Sequence, residues 1–251
     1  MNSPARPAWP YPHWVAHRGA GTLAPENTLA AIRLGARHGF RMFECDVTLS
    51  ADGELFLLHD PTLERTTNGH GEVAQTRSSD LRQLDAGRWH SEAYAGERIP
   101  TLRETFALCS ELGLMVNLEI KPSPGLEADT GRRVAEAVTR QWPGATLGLA
   151  APLVTSFSRA ALQAARSVSA DLRLGLLLDR WADDAEAAAN ALECVVLVAN
   201  HTEWTAERVA QCHARGLRAM AYTVNDADTA QRLMDWGLDG VITDRVDALG
   251  P

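Results

Sequence analysis

Apolar residues in this chain gather in short runs separated by longer stretches of helical periodicity. Runs at 14–17, 43–49, 115–120, 153–157, 172–178, 194–199, 217–223 and 240–243 have the length and aliphatic content of strands, eight in all. Stretches at 27–38, 101–111, 128–141, 158–167, 183–192, 205–214 and 226–235 carry amphipathic helical spacing. Thr101 and Glu104 have capping-box spacing, Asn27 is the expected N-cap of the first helix, and Gly39 is its expected stop. Alternation this regular predicts a parallel sheet. Eight strands in 251 residues predict a (β/α)8 TIM barrel as a single domain over 1–251, with an open doubly wound sheet as the alternative. No GxGxxG follows the first strand, which weakens a dinucleotide-binding open sheet.

One interval breaks the rhythm. The segment 60–100 after the second strand is far longer than an ordinary βα loop. It carries the turn-rich stretch 66–71 and then Trp89, His90 and Tyr94. The expectation is a small insertion covering the active site, and a surface subdomain with its own core is the alternative.

The second predicted strand is unusual. In Met42-Phe43-Glu44-Cys45-Asp46-Val47-Thr48, side chains alternate faces, so Glu44 and Asp46 share one face while Phe43, Cys45 and Val47 take the other. In the third strand Asn117, Glu119 and Lys121 share a face in the same way. If Glu44, Asp46 and Glu119 all point into the barrel mouth, each pair about 4 Å apart repels by roughly 4 kcal/mol at an effective dielectric near 20. Ion pairs of Glu44 with Arg18 or Arg41 and of Glu119 with Lys121 are one answer. A shared cation is the other, and all-oxygen ligation suits Mg2+ or Ca2+ better than zinc. His17 and His59, at the ends of two chain segments that flank these carboxylates, have the chemistry of a general acid and base. His13, His38, His90, His201 and His213 are read as surface or packing residues, and His70 is unassigned.

Composition narrows the partners. A formal net charge of -8 argues against nucleic acid, which needs clustered Lys and Arg. Any anionic substrate must therefore meet local positive charge. Cys45, Cys109, Cys194 and Cys212 form no CxxC pair and are read as reduced, in a cytoplasmic protein. The leader, with Pro4, Pro7, Pro10 and Pro12, has no apolar signal-peptide segment, and no membrane-spanning run or basic membrane-surface helix is expected.

The ordered series His17-Arg18-Gly19, Pro25-Glu26-Asn27-Thr28, Glu44-x-Asp46, Asp52-Gly53, His59-Asp60, Leu63-x-Arg65-Thr66-Thr67-x-Gly69, Glu119-Ile120-Lys121 and Tyr222-Thr223-Val224-Asn225 resembles the glycerophosphodiester phosphodiesterase family. The resemblance runs from the first strand to the seventh. It implies a TIM barrel with an insertion after the second strand, and hydrolysis of small glycerophosphodiesters to glycerol 3-phosphate and an alcohol. It further implies one divalent cation (Mg2+ or Ca2+, with Mn2+ as a further candidate) on Glu44, Asp46 and Glu119, and acid and base roles for His17 and His59. Arg18 and Lys121 would contact the phosphate. Tyr222, where relatives often carry tryptophan, would pack the substrate's glycerol or leaving group. The expected partner is the small substrate alone, in a monomer or homodimer. The rivals are a lysophospholipase D-type phosphodiesterase and a barrel that only binds its ligand; the presence of His17, His59, Glu44, Asp46 and Glu119 together argues against the latter.

Overall fold

The computed structural model describes residues 8–251, so Pro4 and Pro7 of the leader lie outside the described residues. Its strands are β1 (Trp14–Ala16), β2 (Met42–Leu49), β3 (Leu55–Leu57), β4 (Met115–Ile120), β5 (Leu153–Ser156), β6 (Arg173–Leu178), β7 (Val196–Asn200), β8 (Arg218–Tyr222) and β9 (Gly240–Thr243). Eight are parallel and close into a ring, because β1 pairs with β2 through Ala16 and Phe43 and with β9 through Ala16 and Thr243. Closure excludes the open sheet and gives the TIM barrel. The ninth strand, β3, runs back antiparallel along β2, with Val47 beside Leu57.

The helices are α1 (Leu29–Arg37), α2 (Ser78–Leu81), α3 (Leu102–Leu112), α4 (Glu127–Gln141), α5 (Arg159–Val168), α6 (Ala185–Ala191), α7 (Ala206–Ala214) and α8 (Ala227–Asp235). All but the short α2 correspond to the expected helices. Thr101 and Glu104 form the capping box at the start of α3. Asn27, in contrast, is not the N-cap of α1. Thr28 is, its hydroxyl accepting from Ala31 N, while Asn27 sits in the left-handed region at φ 58. Both residue types suit a cap, and what decides is the buried demand of Asp46, described below.

Parallel strands covered on both faces read as buried throughout, and all eight residues of β2 are buried. The outward row, with Phe43, Cys45 and Val47, packs against Ile32 and Phe106 of the helical layer. The inward row forms a plug low in the barrel from Val15, Met42, Leu153, Val196, Met220 and Ile242. Each such side chain removed from water contributes on the order of 1.5–3 kcal/mol. Two residues further along the same phase, toward the carboxyl ends, come His17, Glu44, Thr155, Tyr222 and Asp244. The period of two that seals the floor thus lays polar groups on it at the end where barrel sites form.

The segment after β3 has its own small core, in which Leu63, Val73, Leu81 and Ala86 pack with Phe56, Leu58 and Ile99.

Candidate active site at the carboxyl ends of the strands

Glu44, Asp46 and Glu119 are all buried, and each offers a carboxylate oxygen within 4.8 Å of the others. Sheet register brings this about, since Asp46 lies beside Glu119 on the neighbouring strand and Glu44 beside Asn117. The expected ion pairs are present only in part. Lys121 Nζ lies 2.7 Å from Glu119 Oε1 and 3.8 Å from Asp46 Oδ1. Arg18 Nε lies 3.2 Å from Asp46 Oδ2, but Glu44 receives only the Arg18 backbone N–H, at 3.3 Å. Arg41 is exposed. Asn27 brackets Asp46, its Nδ2 donating to Oδ2 at 2.8 Å while its Oδ1 accepts from the Asp46 N–H at 3.1 Å.

These contacts set the charges. Burial pushes the Glu44 carboxyl well up, and the nearby Asp46 and Glu119 push it further. Burial and Asp46 likewise raise Glu119, to about 7, against the pull of Lys121. Burial would raise Asp46 too, but Arg18, His59, Lys121 and the Asn27 hydrogen bond together outweigh it and hold the group low. Two fixed cations thus face three carboxylates, and the buried Glu44 Oε1 accepts no hydrogen bond. When all three are ionised they exceed the two cations by one negative charge, and an all-oxygen set of this kind with an unused lone pair fits a hard divalent cation.

The two histidines flank this cluster, and each is gripped from behind. His17 Nδ1 lies 2.6 Å from Asp244 Oδ1, and its Nε2 lies 3.8 Å from Glu44 Oε2. His59 Nδ1 lies 2.6 Å from Asp60 Oδ1. Asp244 is held ionised: burial would raise it, but the His17 and Asn225 hydrogen bonds hold it below the usual carboxylate range. Asp60 is drawn down to about 2, chiefly by Arg65. An ionised carboxylate only accepts, so Nδ1 of each ring carries the proton and Nε2 is left for chemistry. Burial holds His59 below the ordinary histidine value, which favours its neutral form at pH 7.

Tyr222 also reaches this end of the barrel. Its hydroxyl donates to Leu178 O at 3.0 Å, so its ring, edge-on to Phe157 at 5.9 Å, is the part left to meet a ligand. A cavity of about 540 Å3 opens here between His59, Glu119, Lys121, Pro122, Glu127 and Phe157. A hollow of similar size, about 570 Å3, lies between Gly53, Arg103, Arg133 and Arg140 and touches none of these groups.

All eight residues singled out in the sequence therefore stand at one end of the barrel. Asp244 was missed, although its signal was available, because it continues the inward phase of β9 two residues beyond Ile242. Among the described residues, no helix is long and apolar enough to cross a membrane, and all four cysteines are buried thiols.

A profile of the glycerophosphoryl diester phosphodiesterase family matches residues 17–248. A glycerophosphodiester phosphodiesterase of Caldanaerobacter subterraneus is 32% identical over 239 residues, covering 94% of this chain and 95% of its own. The structure of an Oleispira antarctica phosphodiesterase, in complex with the product sn-glycerol-3-phosphate, superposes with a TM-score of 0.88 at 35% identity, over 93% of both chains. A glycerophosphodiester phosphodiesterase from Agrobacterium tumefaciens superposes at 0.76 with 30% identity, over 93% of this chain and 96% of that one. Alike in sequence and in backbone along nearly its whole length, the chain belongs to the glycerophosphoryl diester phosphodiesterase family, enzymes that hydrolyse glycerophosphodiesters to glycerol 3-phosphate.

Proposed function

We propose that this enzyme hydrolyses small glycerophosphodiesters such as glycerophosphocholine and glycerophosphoethanolamine, with Glu44, Asp46 and Glu119 holding one divalent cation and His17 and His59 exchanging the protons. The observation that carries the reading is the flanking of one three-carboxylate cluster by two histidines, each tied through Nδ1 to an aspartate. The bound cation would supply positive charge to the carboxylates and to the nonbridging phosphate oxygens. Mg2+ and Ca2+ fit the oxygen donors, and Mn2+ is a further candidate.

The residues of this chain do the rest. Arg18 offers a guanidinium and Lys121 an ammonium to the phosphodiester, in a partly enclosed site where such charges count for more than in water. One histidine, its Nε2 bare, takes a proton from the attacking hydroxyl, and the other, protonated at Nε2 as well as Nδ1, gives its Nε2 proton to the departing alkoxide. The phosphorus–oxygen bond to the alcohol breaks, and water supplies the new oxygen and both hydrogens. The ring of Tyr222 packs the glycerol or the leaving group. The chain acts as a single barrel domain with the segment 60–100 lying over the site, in the cytoplasm.

The test is release of glycerol 3-phosphate from glycerophosphocholine with Mg2+, Ca2+ or Mn2+, and again in excess EDTA. Release that chelation abolishes is expected. Full release in EDTA would remove the cation from the mechanism. No release with any of the three ions would overturn the substrate.

A further inference from the structure

The stretch 63–69 contributes no residue to the chemistry above, yet it is built to hold one side chain in place. Leu63 is buried in the insertion core. The Thr67 hydroxyl donates to Leu63 O at 2.6 Å and accepts from Gly69 N at 2.9 Å. A Cβ on Gly69 would come within 2.7 Å of Leu84 Cδ1, so the turn packs closely from that side too. From this pinned turn Arg65 extends to the barrel mouth.

Its guanidinium takes two carboxylates at once. Nε and Nη2 donate to Asp60 Oδ2 and Oδ1 at 2.6 and 3.0 Å. Nη1 and Nη2 donate to Glu26 Oε2 and Oε1 at 2.7 and 2.8 Å. Each carboxylate has a second client. Glu26 Oε1 also accepts from Arg18 Nη1 at 2.8 Å, and Asp60 Oδ1 grips His59 Nδ1 at 2.6 Å. Glu26 belongs to the loop after β1 and Asp60 to the loop after β3, and no hydrogen bond is found between those two carboxylates themselves.

We propose that Arg65 is a positioning residue, whose two-sided hold on Glu26 and Asp60 fixes the phosphate-binding Arg18 and the proton-transferring His59 relative to each other. The inference rests on the roles proposed above for Arg18 and His59. Only a planar fork can serve both carboxylates, because a lysine ammonium is a point charge on a flexible stem. Misplacing a catalytic group by about 1 Å can cost on the order of a hundredfold in rate, so a side chain that touches no substrate can still control turnover.

Arg65→Lys and Arg65→Met are each compared with the intact enzyme for kcat and KM, alone and combined with Asp60→Asn. The expected result is a kcat lower by about 10- to 100-fold in both, as for other residues that orient catalytic groups, with KM changed less. Lysine gives no rescue, and the effects of Arg65→Met and Asp60→Asn combine to less than their product. Kinetics are paired with nitrogen-15 histidine NMR of the substrate-free protein. There the His59 Nδ1–H signal, assigned by its absence in His59→Asn, should shift or broaden in Arg65→Met. Near-normal kcat in Arg65→Lys, or an unmoved His59 signal in Arg65→Met, would overturn the proposal. Because the NMR needs no turnover, an intact enzyme that releases no glycerol 3-phosphate would sink the functional reading while the clamp is still judged on its own signal.

Discussion

Asp244 grips His17 at 2.6 Å across the seam where the barrel closes, 227 residues away in the chain. Asn225 braces the carboxylate from the other side, its Nδ2 donating to Asp244 Oδ2 at 2.9 Å and its Oδ1 accepting from the Asp244 N–H at 2.9 Å. Asp244→Asn should therefore leave the fold and KM nearly intact, because an amide of the same shape remains. On the proton-transfer role proposed for His17, it should lower kcat by about 100- to 10,000-fold, the range that general acid–base catalysis contributes. Steady-state kinetics on glycerophosphocholine check this.

The crowded carboxylates predict opposite effects of one substitution on stability and on metal response. Burial and two neighbouring carboxylates raise Glu44, so Glu44→Gln replaces a disfavoured charge with a neutral group of the same shape. In EDTA its melting temperature should equal or exceed that of the intact chain. Added Mg2+ or Ca2+ should raise the melting temperature of the intact chain, as ligands that bind only the folded state do. That rise should be largely lost in Glu44→Gln and Glu119→Gln, along with turnover.

Asp60 predicts an acid limb. Its folded value of about 2 lies below the ordinary 3.8, chiefly through the Arg65 hydrogen bonds. A carboxyl lowered in the folded state contributes stability that is complete above its unfolded value and disappears as pH falls through the folded one. The stability advantage of the intact chain over Asp60→Asn should therefore be constant above about pH 5 and shrink between roughly pH 4 and pH 2. Denaturant melts at stepped pH measure it, and an advantage that does not shrink would contradict the assignment.

Gly21 lies in the loop between β1 and α1 at φ 56, and a Cβ there would collide with the carbonyl oxygen of Asp244. Gly21→Ala adds a strained backbone conformation worth about 1–3 kcal/mol, on top of that collision. The expected outcome is a melting temperature lower by several degrees together with reduced kcat, since Asp244 must move and His17 with it. Thermal melts and kinetics on the same preparation test both halves.

The parts of this protein that depend on local pattern could be read directly from the chain. Eight runs of strand character with helices between them imply a parallel sheet, with a closed barrel as the leading arrangement, and a period of two puts Glu44 with Asp46, and Asn117 with Glu119, on one shared face. Those are properties of neighbouring residues, and no distant contact is needed to state them. The same local reasoning failed at Asn27. Its cap preference is worth about 1 kcal/mol, and buried Asp46, whose carboxylate needs a donor and whose backbone N–H needs an acceptor, outweighs it. It was silent on which aspartate would stand behind His17, and on Arg65 reaching 39 residues back to Glu26. Barrel closure and strand register choose those partners: they bring together groups far apart in the chain, and nothing in either local stretch encodes the other's position.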